Sequence, residues 1–111
     1  MKESPIFTRS YDLHTWLLGR FEKIRGYRPL CRAVADHSRG LLEAVTLALL
    51  RFDTAERLIE ADQHVALLRV HLRLAAEKEL IDDRQLLHAN GLLRDVGRQI
   101  GGWLKHLDEV G

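Results

Sequence analysis

Apolar residues recur at three- and four-residue steps along nearly the whole chain, and the breaks in that rhythm divide it into four helices. Tyr11, Leu13, Trp16, Leu17, Phe21 and Ile24 predict a first helix over about residues 10–25. Gly26 then suits a left-handed terminating residue, and Pro29 suits the first position of a second helix over about 29–52. That helix carries Leu30, Val34, Leu41, Leu42, Val45, Ala48 and Leu49. Asp53, with Glu56 three residues later, reads as a capping box opening a third helix over about 54–79. Asp82 with Gln85 repeats the device for a fourth over about 83–107. The connections are short, so neighbours should be antiparallel. The expected fold is all-α, an antiparallel up-down four-helix bundle occupying residues 1–111 as one domain.

The third helix carries more apolar surface than one bundle can cover. At 100° per residue, Leu58, Ala61, Val65, Leu68, Leu72 and Ala75 form one sector. Ile59, Ala66, Leu67, Val70 and Leu74 form a second, broadly opposite one. Arg69 and Arg73 border the sectors on one side, His64 and His71 on the other. One stripe suffices for a bundle helix. A second stripe left in water would be a sticky patch, so Leu67, Val70 and Leu74 are expected to meet another copy of the chain.

The fourth helix raises a different question, because "GRQIGGWLK" places Gly97, Gly101 and Gly102 inside it. Each glycine costs a helix interior about 0.8–1 kcal/mol relative to alanine. Leu86, Leu93, Val96, Ile100, Trp103, Leu104 and Leu107 form its core arc. Gly97 and Gly101 lie at the edge of that arc, one turn apart and in line with Asn90. Such a flat strip lets another backbone approach closely. Gly97 and Gly101 therefore join the expected oligomer interface.

Composition agrees with a helical, globular chain: 46% of residues are hydrophobic and 30% charged, with only Pro5 and Pro29 as prolines. Cys31 is the sole cysteine, which excludes an intrachain disulfide framework. Without an apolar leader or an 18-residue apolar run, the expected location is the cytoplasm, away from membranes. The net charge of +1 conceals an asymmetry. Residues 1–51 hold nine Lys/Arg against five Asp/Glu, giving +4; residues 52–111 hold eight against eleven, giving −3. This pattern suits either a basic face toward an anionic partner or an ordinary solvated surface.

Three groups of cations are candidates for binding nucleic acid or a protein partner. Arg69 and Arg73 lie at i, i+4 in a stretch, Gln63–Ala76, that has no acid. Glu77 can pair with Arg73, whereas Arg69 has no acid within four positions. An unpaired guanidinium engages phosphate through its planar fork. Arg20, Lys23, Arg25, Arg28 and Arg32 form a second group across the first connection, with Tyr27 placed to stack on a base or to pack the turn. Arg94, Arg98 and Lys105 form a ridge beside the glycine strip. In each case the plain alternative is solvation or ion pairing.

No catalytic constellation is legible. No histidine has Asp or Glu three residues before it, as bundle di-metal sites require, and His64 and His71 are two turns apart. No metal and no cofactor are expected, and the six histidines suit polar or pH-sensitive interface positions. Cys31 has no activating partner in sequence reach beyond a nearby helix start. Trp16 and Trp103 are expected to be core anchors.

"PIFTRSYDLHTWLL", "LLRVHLRLA" and "GRQIGGWLK" together resemble the accessory variability determinant (Avd) proteins of diversity-generating retroelements, in the same order and over nearly the whole chain. Wider relatives are the four-helix-bundle proteins of 23S rRNA intervening sequences. The resemblance implies a barrel-like homopentamer with a positive surface that binds the element's reverse transcriptase and RNA and/or DNA. It implies a non-enzymatic accessory to mutagenic retrohoming, in which error-prone cDNA copied from a template repeat RNA replaces a variable repeat. The alternative is a structural or interaction protein of the same fold with no polymerase partner. "KELIDD" departs from the family's glycine-containing, less acidic turn between the last two helices.

Overall fold

Pro5 opens the first helix, where its missing N–H is not needed, and the chain then winds through four helices. The computed structural model describes residues 4–110. Helix α1 spans Pro5–Phe21, α2 Arg28–Leu49, α3 Thr54–Glu77 and α4 Asp83–Val110. Among the described residues there is no strand. Each helix packs against its neighbours in a ring: α1 on α2, α2 on α3, α3 on α4 and α4 on α1. The result is a four-helix bundle 46 Å long and 23 by 20 Å across.

The α1 boundaries differ from the expected 10–25. The helix begins five residues earlier, at Pro5, so that Ser10 lies inside it. Its hydroxyl donates to the Ile6 carbonyl at 2.7 Å, so the side chain is buried without an orphaned group. The helix ends at Phe21, after which the Ile24 N–H turns back to the Phe21 carbonyl. Gly26 is left-handed, with φ of +84°, but belongs to the connection and does not terminate α1.

Helices α2 and α3 end in the same way. The N–H groups of Arg51 and Phe52 return to the carbonyls of Ala48 and Leu47. Those of Glu79 and Leu80 return to Ala76 and Ala75. These are Schellman closures, with Arg51 (φ +70°) and Glu79 (φ +61°) in the left-handed position that glycine usually takes. The closure at Arg51 ends α2 at Leu49, short of residue 52. In "KELIDD" a glutamate thus performs the turn without a glycine.

The two expected capping boxes part company. Asp53 is left-handed, with φ of +50°, and makes no side-chain cap; its carboxylate lies 3.9 Å from Arg57. At α4 the box is complete. The Gln85 N–H donates to Asp82 Oδ1 at 2.7 Å, and the Asp82 N–H donates to Gln85 Oε1 at 2.9 Å. Asp82→Ala is expected to cost about 1 kcal/mol in urea unfolding, as loss of an N-cap does.

The inner sector of α3 is wholly buried: Leu58, Ala61, Val65, Leu68, Leu72 and Ala75. It meets Leu13 and Leu17 of α1, Val34, Leu41 and Val45 of α2, and Leu93, Val96 and Ile100 of α4 in one core. Trp16, Trp103, Leu86, Leu104 and Leu107 pack against this core while only partly buried. Tyr11, by contrast, is half exposed and tilts against Phe7 on the surface.

Candidate functional site

The second sector of α3 stays outside the bundle. Ile59, Leu67, Val70 and Leu74 are 49%, 44%, 63% and 40% exposed, and Ala66 is exposed with them. Since α3 already packs on both α2 and α4, no element among the described residues covers that face. It runs between two different borders. On the α4 side stand Arg69 and Arg73, and on the α2 side His64 and His71.

Arg69 reaches across to α4. A Cβ added at Gly97 would lie 3.9 Å from its guanidinium and 3.9 Å from Val65. Asp62, Val65, Ala66, Arg69 and Gly97 line the shallow groove between the two helices. Arg69 makes no ion pair among the described residues, whereas Arg73 is held by Glu77 at 3.2 Å. On α4, three- and four-residue steps keep Arg94, Gly97, Arg98, Gly101 and Lys105 on neighbouring positions. Arg98 approaches Asp95 at 3.8 Å. Arg94 and Lys105 have no ion pair among the described residues. Of the two groups only Arg69 lines the α3–α4 groove, whereas Arg98 lines a separate groove with Pro5, Arg9, Asp95 and Gln99 on the α1 side, so the structure does not bring Arg69/Arg73 and Arg94/Arg98/Lys105 into one groove.

The glycines on α4 are not explained from within the chain. A methyl at Gly97 would make only ordinary contacts, and at Gly101 or Gly102 it would meet nothing within 4 Å. Their helix cost is unrecovered in the isolated bundle.

The remaining cations lie at the α1–α2 end. Lys23, Arg25, Arg28 and Arg32 are exposed and free of ion pairs among the described residues. Arg28 and Arg32 line a groove with Pro29, Ala33, Asp36 and His37. Arg20 is set apart by a contact with Trp16, its guanidinium 5.6 Å from the ring centroid, and the same ring meets His88 of α4 at 4.9 Å. This stack closes the α1–α4 seam. Tyr27 is left-handed, with φ of 49°, and half exposed at the N-terminus of α2.

The histidines give the least expected grouping. His37 of α2 joins His64 and His71 of α3 at one seam. Burial, followed by the nearby His64 and His71, holds His37 below the usual histidine pKa, against the opposing Asp36. On the other side of α2, His14 lies 2.6 Å from Ser38 Oγ, and the Ser38 hydroxyl donates to the Ala35 carbonyl at 3.1 Å. His14 Nδ1–H is then the donor to Ser38. Burial and Arg39 lower the His14 pKa, opposed by Glu43. Sequence spacing could pair His64 with His71 but had no means of adding a residue from another helix. The one available signal was Gly40, which makes room for the His64 ring.

Among the described residues, no group of three or more His, Cys, Asp or Glu is arranged to hold a metal ion. Burial raises the Cys31 thiol above its ordinary pKa, the reverse of activation by the helix N-terminus. No described helix is long and apolar enough to cross a membrane.

A protein-family model described as bAvd-like matches residues 10–107 of the chain. No curated protein and no solved structure gives a significant match.

Proposed function

The chain belongs to the bAvd-like family, and from that premise we propose that it is the non-enzymatic accessory protein of a diversity-generating retroelement. In this reading it acts in the cytoplasm as a barrel-like homopentamer. It binds the element's reverse transcriptase together with RNA or DNA, and so supports mutagenic retrohoming. The observation that carries the reading is an uncovered apolar face on α3 bordered by the α3–α4 groove, where Arg69 has no ion pair among the described residues.

Each feature has a separate part. Leu67, Val70 and Leu74 supply apolar area for self-association, and Gly97 and Gly101 let a neighbouring subunit approach α4 closely. Arg69 and Arg73 of α3, and Arg94, Arg98 and Lys105 of α4, supply phosphate contacts from two separate basic surfaces. Arg20, Lys23, Arg25, Arg28 and Arg32 offer a third basic surface at the bundle end, available to the polymerase. Repetition around an assembly multiplies weak contacts by raising their effective concentration.

The test is RNA binding by fluorescence anisotropy over a salt series, with light-scattering mass on the same samples. Each phosphate contact contributes about 0.7–0.9 to the slope of log K against log salt. Arg69→Ala with Arg73→Ala is expected to weaken binding and lower that slope by about 1.4–1.8, while the mass stays unchanged. Unchanged affinity at every salt concentration removes the pair from the site. Wild-type protein that assembles yet binds neither RNA nor the polymerase favours a purely structural bundle, like those of rRNA intervening sequences.

A further inference from the structure

His37, His64 and His71 bring three imidazoles from two helices into one seam. His37 Nδ1 and His64 Nδ1 are 3.0 Å apart, so one nitrogen donates a proton and the other accepts it. His71 stacks on His37 with ring centroids 5.4 Å apart and planes 18° from parallel. Behind His64, a Cβ at position 40 would lie 2.5 Å from its Nε2. Gly40 is therefore the space in which that ring sits.

The hydrogen bond has a strict proton requirement. With both rings neutral or with one charged, a single proton can be shared between the facing nitrogens. With both charged, two N–H donors face each other across 3.0 Å, beside a third imidazole. We propose that His37, His64 and His71 form an acid-sensitive latch, which closes the α2–α3 seam at neutral pH and loosens it on protonation. This inference is independent of polymerase and nucleic-acid binding.

The surrounding charges favour the same sense. On α2, Asp36, Arg28 and Arg32 line the groove beside His37. Asp36 is also engaged with Arg39 at 3.3 Å, and Arg39 approaches Glu43 at 4.0 Å. On α3 the groups acting on His37 are His64 and His71 themselves. Helix α1 presents His14 to α2 at Ser38, one residue along from His37. Helix α4 packs on the other side of α3, where Arg69 reaches Gly97. Asp36 alone favours a charged His37, and burial with the two neighbouring imidazoles outweighs it.

The sign follows from linkage. The pKa of His37 is depressed in the folded chain, so the unfolded chain takes up its proton more readily. The stability contributed by neutral His37 is present above the unfolded value, near 6.5, and is lost as pH falls below it. While only the unfolded chain holds the proton, the folding constant falls by at most about tenfold per pH unit. His14 acts in the same direction at the α1–α2 seam, so removing His37 leaves a residual slope.

The experiment is urea unfolding of the full chain at pH 7.5 and 5.5, at one protein concentration, for wild type and His37→Gln. Glutamine can hydrogen-bond but cannot charge. Wild type is expected to lose clearly more of its folding constant between the two pH values than the variant does. Equal losses overturn the latch. A histidine NMR titration of the wild-type chain decides the matter even if the variant fails to fold. His37 titrating below the unfolded value supports the latch, and His37 titrating at or above it overturns the proposal.

Discussion

Leu68→Ala is expected to lower the free energy of unfolding by about 2–5 kcal/mol, the range for removing a large aliphatic side chain from a closed core. Leu68 is fully buried at the middle of α3, the helix that packs on both α2 and α4. The loss combines two terms. The missing carbon atoms forfeit their transfer free energy, and the cavity left behind forfeits contacts that rigid neighbouring helices cannot restore. A domain of this size is held by roughly 5–15 kcal/mol in total, so the variant should sit close to its unfolding limit. Urea unfolding monitored by circular dichroism measures the change. A loss under about 1 kcal/mol would mean that the α3 core collapses around the gap, contrary to close packing.

Val70→Glu combined with Leu74→Glu should leave that core intact and abolish self-association. Both residues are on the exposed side of α3, 63% and 40% exposed, and neither belongs to the buried cluster. In the proposed pentamer they would be covered by a neighbouring subunit. A carboxylate placed there must either be buried without a partner, at a cost of several kcal/mol, or hold the interface open. The effect repeats at every interface of a closed ring. Light scattering should therefore fall from about five times the 12.8 kDa chain mass to the mass of a single chain, with helical circular dichroism retained. A variant that keeps the wild-type assembly mass would place the interface elsewhere. A wild-type chain that is already monomeric would leave both the apolar face and the glycines of α4 without this explanation.

The two experiments separate the two faces of one helix. Loss at Leu68 reads the free energy of the bundle, and loss at Val70 and Leu74 reads what the bundle does with its remaining surface. Between those faces run the two borders proposed to act in binding and in the pH response. Arg69 leans toward α4 across Gly97, and the histidines close against α2. A change at Arg69 is read in binding, whereas a change at the histidine seam is read in folding stability and its pH dependence.

The periodicity of the sequence by itself determined the four helices, their antiparallel order and the inner sector of α3. Those features depend on local geometry, since a 3.6-residue repeat places Leu58, Val65, Leu68 and Leu72 on one side whatever lies opposite. Family membership was legible as a resemblance carried by "PIFTRSYDLHTWLL", "LLRVHLRLA" and "GRQIGGWLK", whereas the physics of the last stretch showed only that its three glycines cost a helix free energy. Tertiary structure decided the rest. The spacing that forms a capping box at Asp82 fails at Asp53, because the Schellman closure of α2 is followed at once by a left-handed Asp53 backbone. Ser10 can be buried because its hydroxyl donates a hydrogen bond to the Ile6 carbonyl. Arg69 meets Gly97, and His37 meets His64, only because separate helices lie side by side. Spacing along one helix specifies neighbours on that helix, whereas a seam between two helices depends on register and rotation, which are set by packing in three dimensions.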